Sequence, residues 1–163
     1  MNILYLDFDG VICNAFDFKK EAYIKTPLFS LNNERLWWLE HCLEKANKEA
    51  CIVSISSWAD ATSNYLAFEN FLQNICKFKH LHALKDPKLL FQSVYMKKGD
   101  FKQRPQFVNE INKLFNVKNY LILDDDLDDA YTQANLNHIQ TDHHDGISFK
   151  HMHPIELAIA SWK

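Results

Sequence analysis

Residues 4–13 read LYLDFDGVIC. An apolar and aromatic run meets Asp7, then Phe8, Asp9 and Gly10, so a buried strand over Ile3 to Phe8 is expected to end in two acids. Gly10 permits a sharp turn that folds the backbone back toward those acids. The pattern asks what a buried strand end does with two carboxylates. The answer depends on what else ends beside it.

Downstream, short apolar runs alternate with helical patterns. Asn32 or Asn33 can cap a helix with Leu36, Leu39, Leu43 and Ala46 on one face, at spacings of three, four and three. Cys51 to Ser56 (CIVSIS) reads as a second strand. Asp60 can cap a helix running through Leu66, Phe68, Leu72 and Ile75. One short strand is expected between Lys77 and Tyr95. Pro105 suits the first turn of a helix carrying Val108, Ile111, Leu114 and Phe115. Tyr120 to Leu123 (YLIL) is a further strand, Asp126 to Asn135 a short helix, and His138 to Thr141 a last strand. A closing helix is expected over Pro154 to Trp162. Strands alternating with helices imply an α/β fold, a central parallel sheet with helices on both faces. Ligands then bind beyond the carboxyl ends of the strands. Those ends carry Asp7, Asp9 and Gly10; Ser56, Ser57 and Trp58; Asp124, Asp125 and Asp126; and Thr141 and Asp142.

The chain has 163 residues, 47% apolar and 24% charged, which suits one domain over 1–163 with a real core. A net charge of −3 excludes a polycation that coats nucleic acid. From Cys76 to Lys118, however, nine lysines and Arg104 face three acids (Asp86, Asp100, Glu110). That segment is either a solvated lysine-rich face or a basic surface beside an acidic metal site, suited to a phosphorylated substrate. Cys13, Cys42, Cys51 and Cys76 show no CxxC spacing and read as reduced thiols of a cytoplasmic protein. No apolar run approaches the roughly 18 residues of a membrane span, and no signal peptide is expected. Five of the eight histidines lie between His138 and His153. With no cysteine among them, the DHHDG stretch reads as a polar turn at Gly146 rather than a zinc site. Those histidines are either plain surface groups or a loop at the active edge that helps select substrate.

Several clustered carboxylates repel one another unless a cation joins them. All-oxygen ligation suits magnesium, which bridges readily to phosphate. An Asp facing a phosphoryl group can attack it and form an aspartyl-phosphate.

On LYLDFDGV, IVSISSW, a lysine in KKGDFKQR and LILDDD, the chain resembles the haloacid dehalogenase (HAD) superfamily of phosphotransferases. SSW (residues 56–58), LDDDL and QTDHHDGIS (residues 140–148) are similar to the HAD domain of Swiss Army Knife RNA repair proteins. The resemblance implies a Rossmann-like HAD fold. It makes Asp7 the nucleophile and a metal ligand, and Asp9 the general acid and base with its carbonyl on the metal. Ser56 and Ser57 would meet the phosphoryl group beside Gly10. Lys102 is the motif cation, with Lys98 and then Lys97 as alternatives. Asp124 is the remaining metal carboxylate, with Asp125 beside it. Ser56 stands where Thr is common, and Val11 where many members carry Thr. The intervals from Cys13 to Ala50 and from Asp60 to Gly99 hold no large cap domain, so an open site is expected, admitting bulky substrates. The implied activity is a Mg2+-dependent phosphatase acting on a phosphorylated nucleic-acid end or nucleotide. A phosphoprotein phosphatase and a non-catalytic binding module of the same fold are the alternatives.

Overall fold

A computed structural model describes residues 1–13, 33–55, 65–84, 104–126 and 130–163. The opening apolar run forms β1 (Asn2–Leu6), and α1 (Asn33–Ala46) leads to β2 (Ala50–Ser54). Then come α2 (Tyr65–Asn70), a π-helical turn over Phe71–Ile75, and β3 (Leu81–Ala83). The remainder is α3 (Arg104–Leu114), β4 (Asn119–Asp124), α4 (Ala130–Gln133), β5 (His138–Gln140) and α5 (Phe149–Ala160). The five strands lie in the order β3-β2-β1-β4-β5, and every neighbouring pair is parallel. This is the expected Rossmann-like α/β architecture. The described elements form no cap, and a chain of 163 residues has no room for a large one.

β1 is central, and its side chains alternate between two cores. Leu4 and Leu6 pack with Leu36, Leu39 and Leu43 of α1 and Ile155 and Ile159 of α5. Ile3 and Tyr5 pack on the opposite face with Phe107, Val108 and Ile111 of α3. All four β1 side chains are fully buried. Each such burial contributes on the order of 1.5–3 kcal/mol, so the strand is anchored from both faces. The acids that follow it inherit a fixed position.

The apolar spacing of α1 is realised, with Leu36, Leu39 and Leu43 all buried. Glu40 of the same helix is buried and accepts backbone N–H groups from Lys79 at 2.6 Å and Leu81 at 2.9 Å, fixing the entry to β3. The short strand expected between Lys77 and Tyr95 is β3. The expected helix start at Asp60 lies outside the described residues.

Two helices differ from expectation. α4 ends at Gln133, two residues before the expected end at Asn135, and Asp126 is not helical, while 127–129 lie outside the described residues. α5 begins at Phe149, five residues before Pro154, which lies inside the helix. The start is fixed by a reciprocal cap: the Ser148 N–H donates to Nδ1 of His151 at 3.0 Å. Pro154 has no N–H to give to a helical bond, yet the cap and the burial of Ile155 and Ile159 carry the helix through it.

The cap makes a pH prediction. Nδ1 of His151 accepts a hydrogen bond, so it carries no proton in the fold. Burial, then the nearby Lys150 ammonium, hold the His151 pKa below its ordinary 6.5, against the opposing pull of Asp142 and Asp145. The folded state therefore binds fewer protons than the unfolded chain as pH falls through that value, and stability drops. The contribution is intact above the unfolded value and lost as pH falls toward the depressed one. Gln at a capping-box position accepts the same bond without titrating. His151→Gln is expected to lose less melting temperature than wild type between about pH 7.5 and about pH 5. Equal losses in the two proteins would remove His151 from the account.

Candidate active site

The strand order reverses direction between β1 and β4, the place where open parallel sheets bind ligands. The register pairs Leu6 with Leu123, and the Asp7 N–H donates to the Leu123 carbonyl at 2.9 Å. Asp7 and Asp124 thus leave adjacent strands at one level. Beyond β1 the chain turns tightly, with the Phe8 carbonyl accepting N–H groups from Ile12 at 3.0 Å and Cys13 at 2.7 Å. Asp9 is half-buried on this turn.

Gly10 has φ of 69°. A Cβ added there would overlap the Asp125 carboxylate. The glycine therefore does two things: it adopts the left-handed turn, and it leaves the space that Asp125 fills. On its other side, the Gly10 carbonyl accepts a 2.6 Å bond from the Thr141 hydroxyl, tying the turn to the residue after β5.

Asp7, Asp124 and Asp125 each offer an oxygen to one cluster, with those atoms within 4.8 Å of one another. Asp7 is 5% exposed and Asp124 1% exposed. The charge between them is met by Arg104, the first residue of α3, itself 3% exposed. One guanidinium nitrogen lies 2.9 Å from Asp7 Oδ2, and the other 2.6 Å from Asp124 Oδ2 and 3.0 Å from Asp126 Oδ2. The fork geometry of arginine suits this bridging, where a lysine offers one point charge. Burial opposes the Arg104 charge, but the carboxylates of Asp7 and Asp124 outweigh it and raise its pKa above the ordinary value. The Tyr131 hydroxyl donates to Asp124 Oδ2 at 2.7 Å, and the Asp126 N–H to Asp124 Oδ1 at 3.1 Å. Burial first, then Asp124, push the Tyr131 phenol up, so it stays a donor.

The donor set fits a divalent cation. Asp7, Asp124 and Asp125 share a single guanidinium, which also pairs with Asp126, so the largely buried cluster keeps a net negative charge that a divalent cation would offset. The donors are all oxygen, the preference of hard cations.

The structure thus brings together Asp7, Gly10, Asp124 and Asp125, with Asp9 on the same turn. Ser56, Ser57, Lys97, Lys98 and Lys102 lie outside the described residues. Arg104 is the group that sequence reasoning missed. It was legible only as one basic residue among ten, although it is the lone arginine of that segment and directly precedes the helix-starting Pro105. Tyr131 gave no signal at all.

Among the described residues no helix is long and apolar enough to cross a membrane. The four cysteines form no disulfide. No curated protein and no solved structure matches the chain. Residues 3–152 match the family described as the HAD domain in Swiss Army Knife RNA repair proteins. With that match over most of its length, and with paired acids at the switch point of a parallel sheet, the chain belongs to this HAD domain family.

Proposed function

We propose that the chain, as one domain over residues 1–163, is a magnesium-dependent phosphatase that removes a phosphoryl group from a nucleic-acid end in the cytoplasm. The observation that carries this reading is the cluster of Asp7, Asp124 and Asp125 at the β1/β4 switch point, bridged by Arg104.

In this reading an Asp7 carboxylate oxygen attacks phosphorus, and the bond from phosphorus to the leaving oxygen breaks. Asp9, two residues on, gives that oxygen a proton. It then takes one from water, which attacks the aspartyl-phosphate and releases inorganic phosphate. Arg104 holds Asp7 in place and supplies the cationic function that the resemblance assigns to a lysine. Ser56 and Ser57 would bond the phosphoryl oxygens, and Lys102 or Lys98 would offset their charge. Asp7, the Asp9 carbonyl and Asp125 would hold Mg2+. Asp125 is favoured over Asp124 because both Asp124 oxygens already accept bonds from Arg104, Tyr131 and the Asp126 N–H. When bound, the ion supplies positive charge to the transferring phosphoryl group.

The substrate class rests on three supports. The family is that of RNA repair proteins, the described residues form no cap over the site, and residues 76–118 are strongly basic. A panel of nucleotides, phosphorylated oligonucleotides and phosphopeptides tests it. Oligonucleotide ends are expected to be the best substrates, with turnover stopped by a chelator and restored by magnesium. Preference for phosphopeptides would favour a phosphoprotein phosphatase. Silence across the panel with magnesium present would favour a binding module, and turnover indifferent to chelator would remove the metal.

A further inference from the structure

We infer that His143 is a positioning residue that holds the Asp125 carboxylate in the orientation needed to bind a divalent cation. The inference rests on the metal-dependent reading above and assigns the site a component from outside its acidic strand ends.

Asp125 is gripped from two sides. The bare Cα of Gly10 lies against its carboxylate, where any side chain would overlap it. Nδ1 of His143 lies 2.8 Å from Oδ2. A carboxylate only accepts, so this bond requires the proton on Nδ1. With Oδ2 bonded to the imidazole and the carboxylate packed on Gly10, the Asp125 carboxylate that joins the cluster with Asp7 and Asp124 is fixed in orientation.

The imidazole sits on a braced turn. The Thr141 N–H donates to the Asp124 carbonyl at 2.9 Å, and its hydroxyl to the Gly10 carbonyl at 2.6 Å. The Ile147 N–H donates to the Val11 carbonyl at 2.9 Å. The Asp142 carboxylate accepts the His144 N–H at 2.9 Å, closing the turn from within. Arg35 spans the seam from behind, donating to the carbonyls of Ile12 and Asp145, each at 2.7 Å. Gly146 permits this close approach, with φ of 64° and the Val11 carbonyl 2.6 Å from where a Cβ would stand. The turn bearing His143 and the turn bearing Asp9 and Gly10 are thereby one unit, and the imidazole reaches Asp125 from a fixed base.

An exposed ion pair on a loose loop would contribute next to nothing. A donor that orients a ligating carboxylate has a different signature: its loss weakens metal affinity by about 10- to 100-fold. Half of the His143 side chain is open to solvent, so its removal leaves no core cavity.

Binding of Mn2+ to the full chain, followed by the loss of the free-ion electron paramagnetic resonance signal, tests the inference. His143→Ala is expected to weaken binding about 10-fold or more. Its unfolding midpoint in chelator should match wild type. Asn carries an N–H donor at the δ position, so His143→Asn is expected to bind the ion within about threefold of wild type. Equal affinity of wild type and His143→Ala would overturn the role of His143 while leaving the metal site standing. Equal weakness of the Asn and Ala variants would overturn the donor role. A lower metal-free stability of His143→Ala would make the residue merely structural. A wild-type chain that binds no Mn2+ would overturn the metal reading itself, and this inference with it.

Discussion

Asp7→Asn is expected to lower turnover of an aryl phosphate by at least about 1,000-fold. The amide is nearly the same size, so the loss reports chemistry rather than packing: an amide oxygen is a poor nucleophile where a carboxylate oxygen attacks. The fold should survive, because Arg104 keeps its pairs with Asp124 and Asp126. The variant also removes one of three clustered negative charges. Without metal the repulsion in the cluster falls, and the unfolding midpoint in chelator is expected to be no lower than that of wild type. Undiminished turnover in a clean preparation would end the assignment of Asp7 as nucleophile.

Replacing Arg104 should act in the opposite way, on stability first. Arg104→Met keeps the aliphatic stem and deletes the charge, leaving Asp7 and Asp124 buried beside one another. Breaking a buried pair from one side costs about 3–5 kcal/mol, a large part of the stability of a domain this size. Arg104→Lys retains the charge but reaches one carboxylate at a time, and is expected to cost roughly 1–3 kcal/mol. Denaturant unfolding in chelator measures both. Magnesium, by restoring positive charge to the cluster, should recover part of the loss in each variant. A loss below about 1 kcal/mol for Arg104→Met would show that the bridge contributes no more than a surface pair.

The sequence made the acids of this site legible because each ends an apolar run. A strand buried on both faces is almost wholly hydrophobic, so Asp7 after LYL and Asp124 after LIL stand out, and the sheet topology then puts them side by side. Gly10 was legible as a turn residue; its second task, making room for Asp125, depends on a residue more than a hundred positions away. Arg104 was not legible. Nine lysines share its segment, and nothing in the order of residues says which cation turns inward. Proximity to the helix start favoured Lys102, while the structure puts Arg104 itself at the first position of the helix. The start of α5 was misread because Pro154 suggests a first turn, whereas the competing signal was a Ser–His pair three apart. His143 could be read as a surface group or as part of a loop at the active edge, and was given no partner, since its bond to Asp125 joins two loops that only the fold brings together.

The central claim is that Asp7 carries the phosphoryl group. It is tested most directly in the Asp9→Asn variant, which lacks the base for the second step. An aryl phosphate with a good leaving group needs no proton from Asp9 for the first step. Mixing it with this variant and magnesium should add the mass of one phosphoryl group to the intact chain, and fragmentation should place that group on Asp7. A phosphoryl group on any other residue, or steady release of phosphate with no adduct at Asp7 on any timescale, would contradict the account.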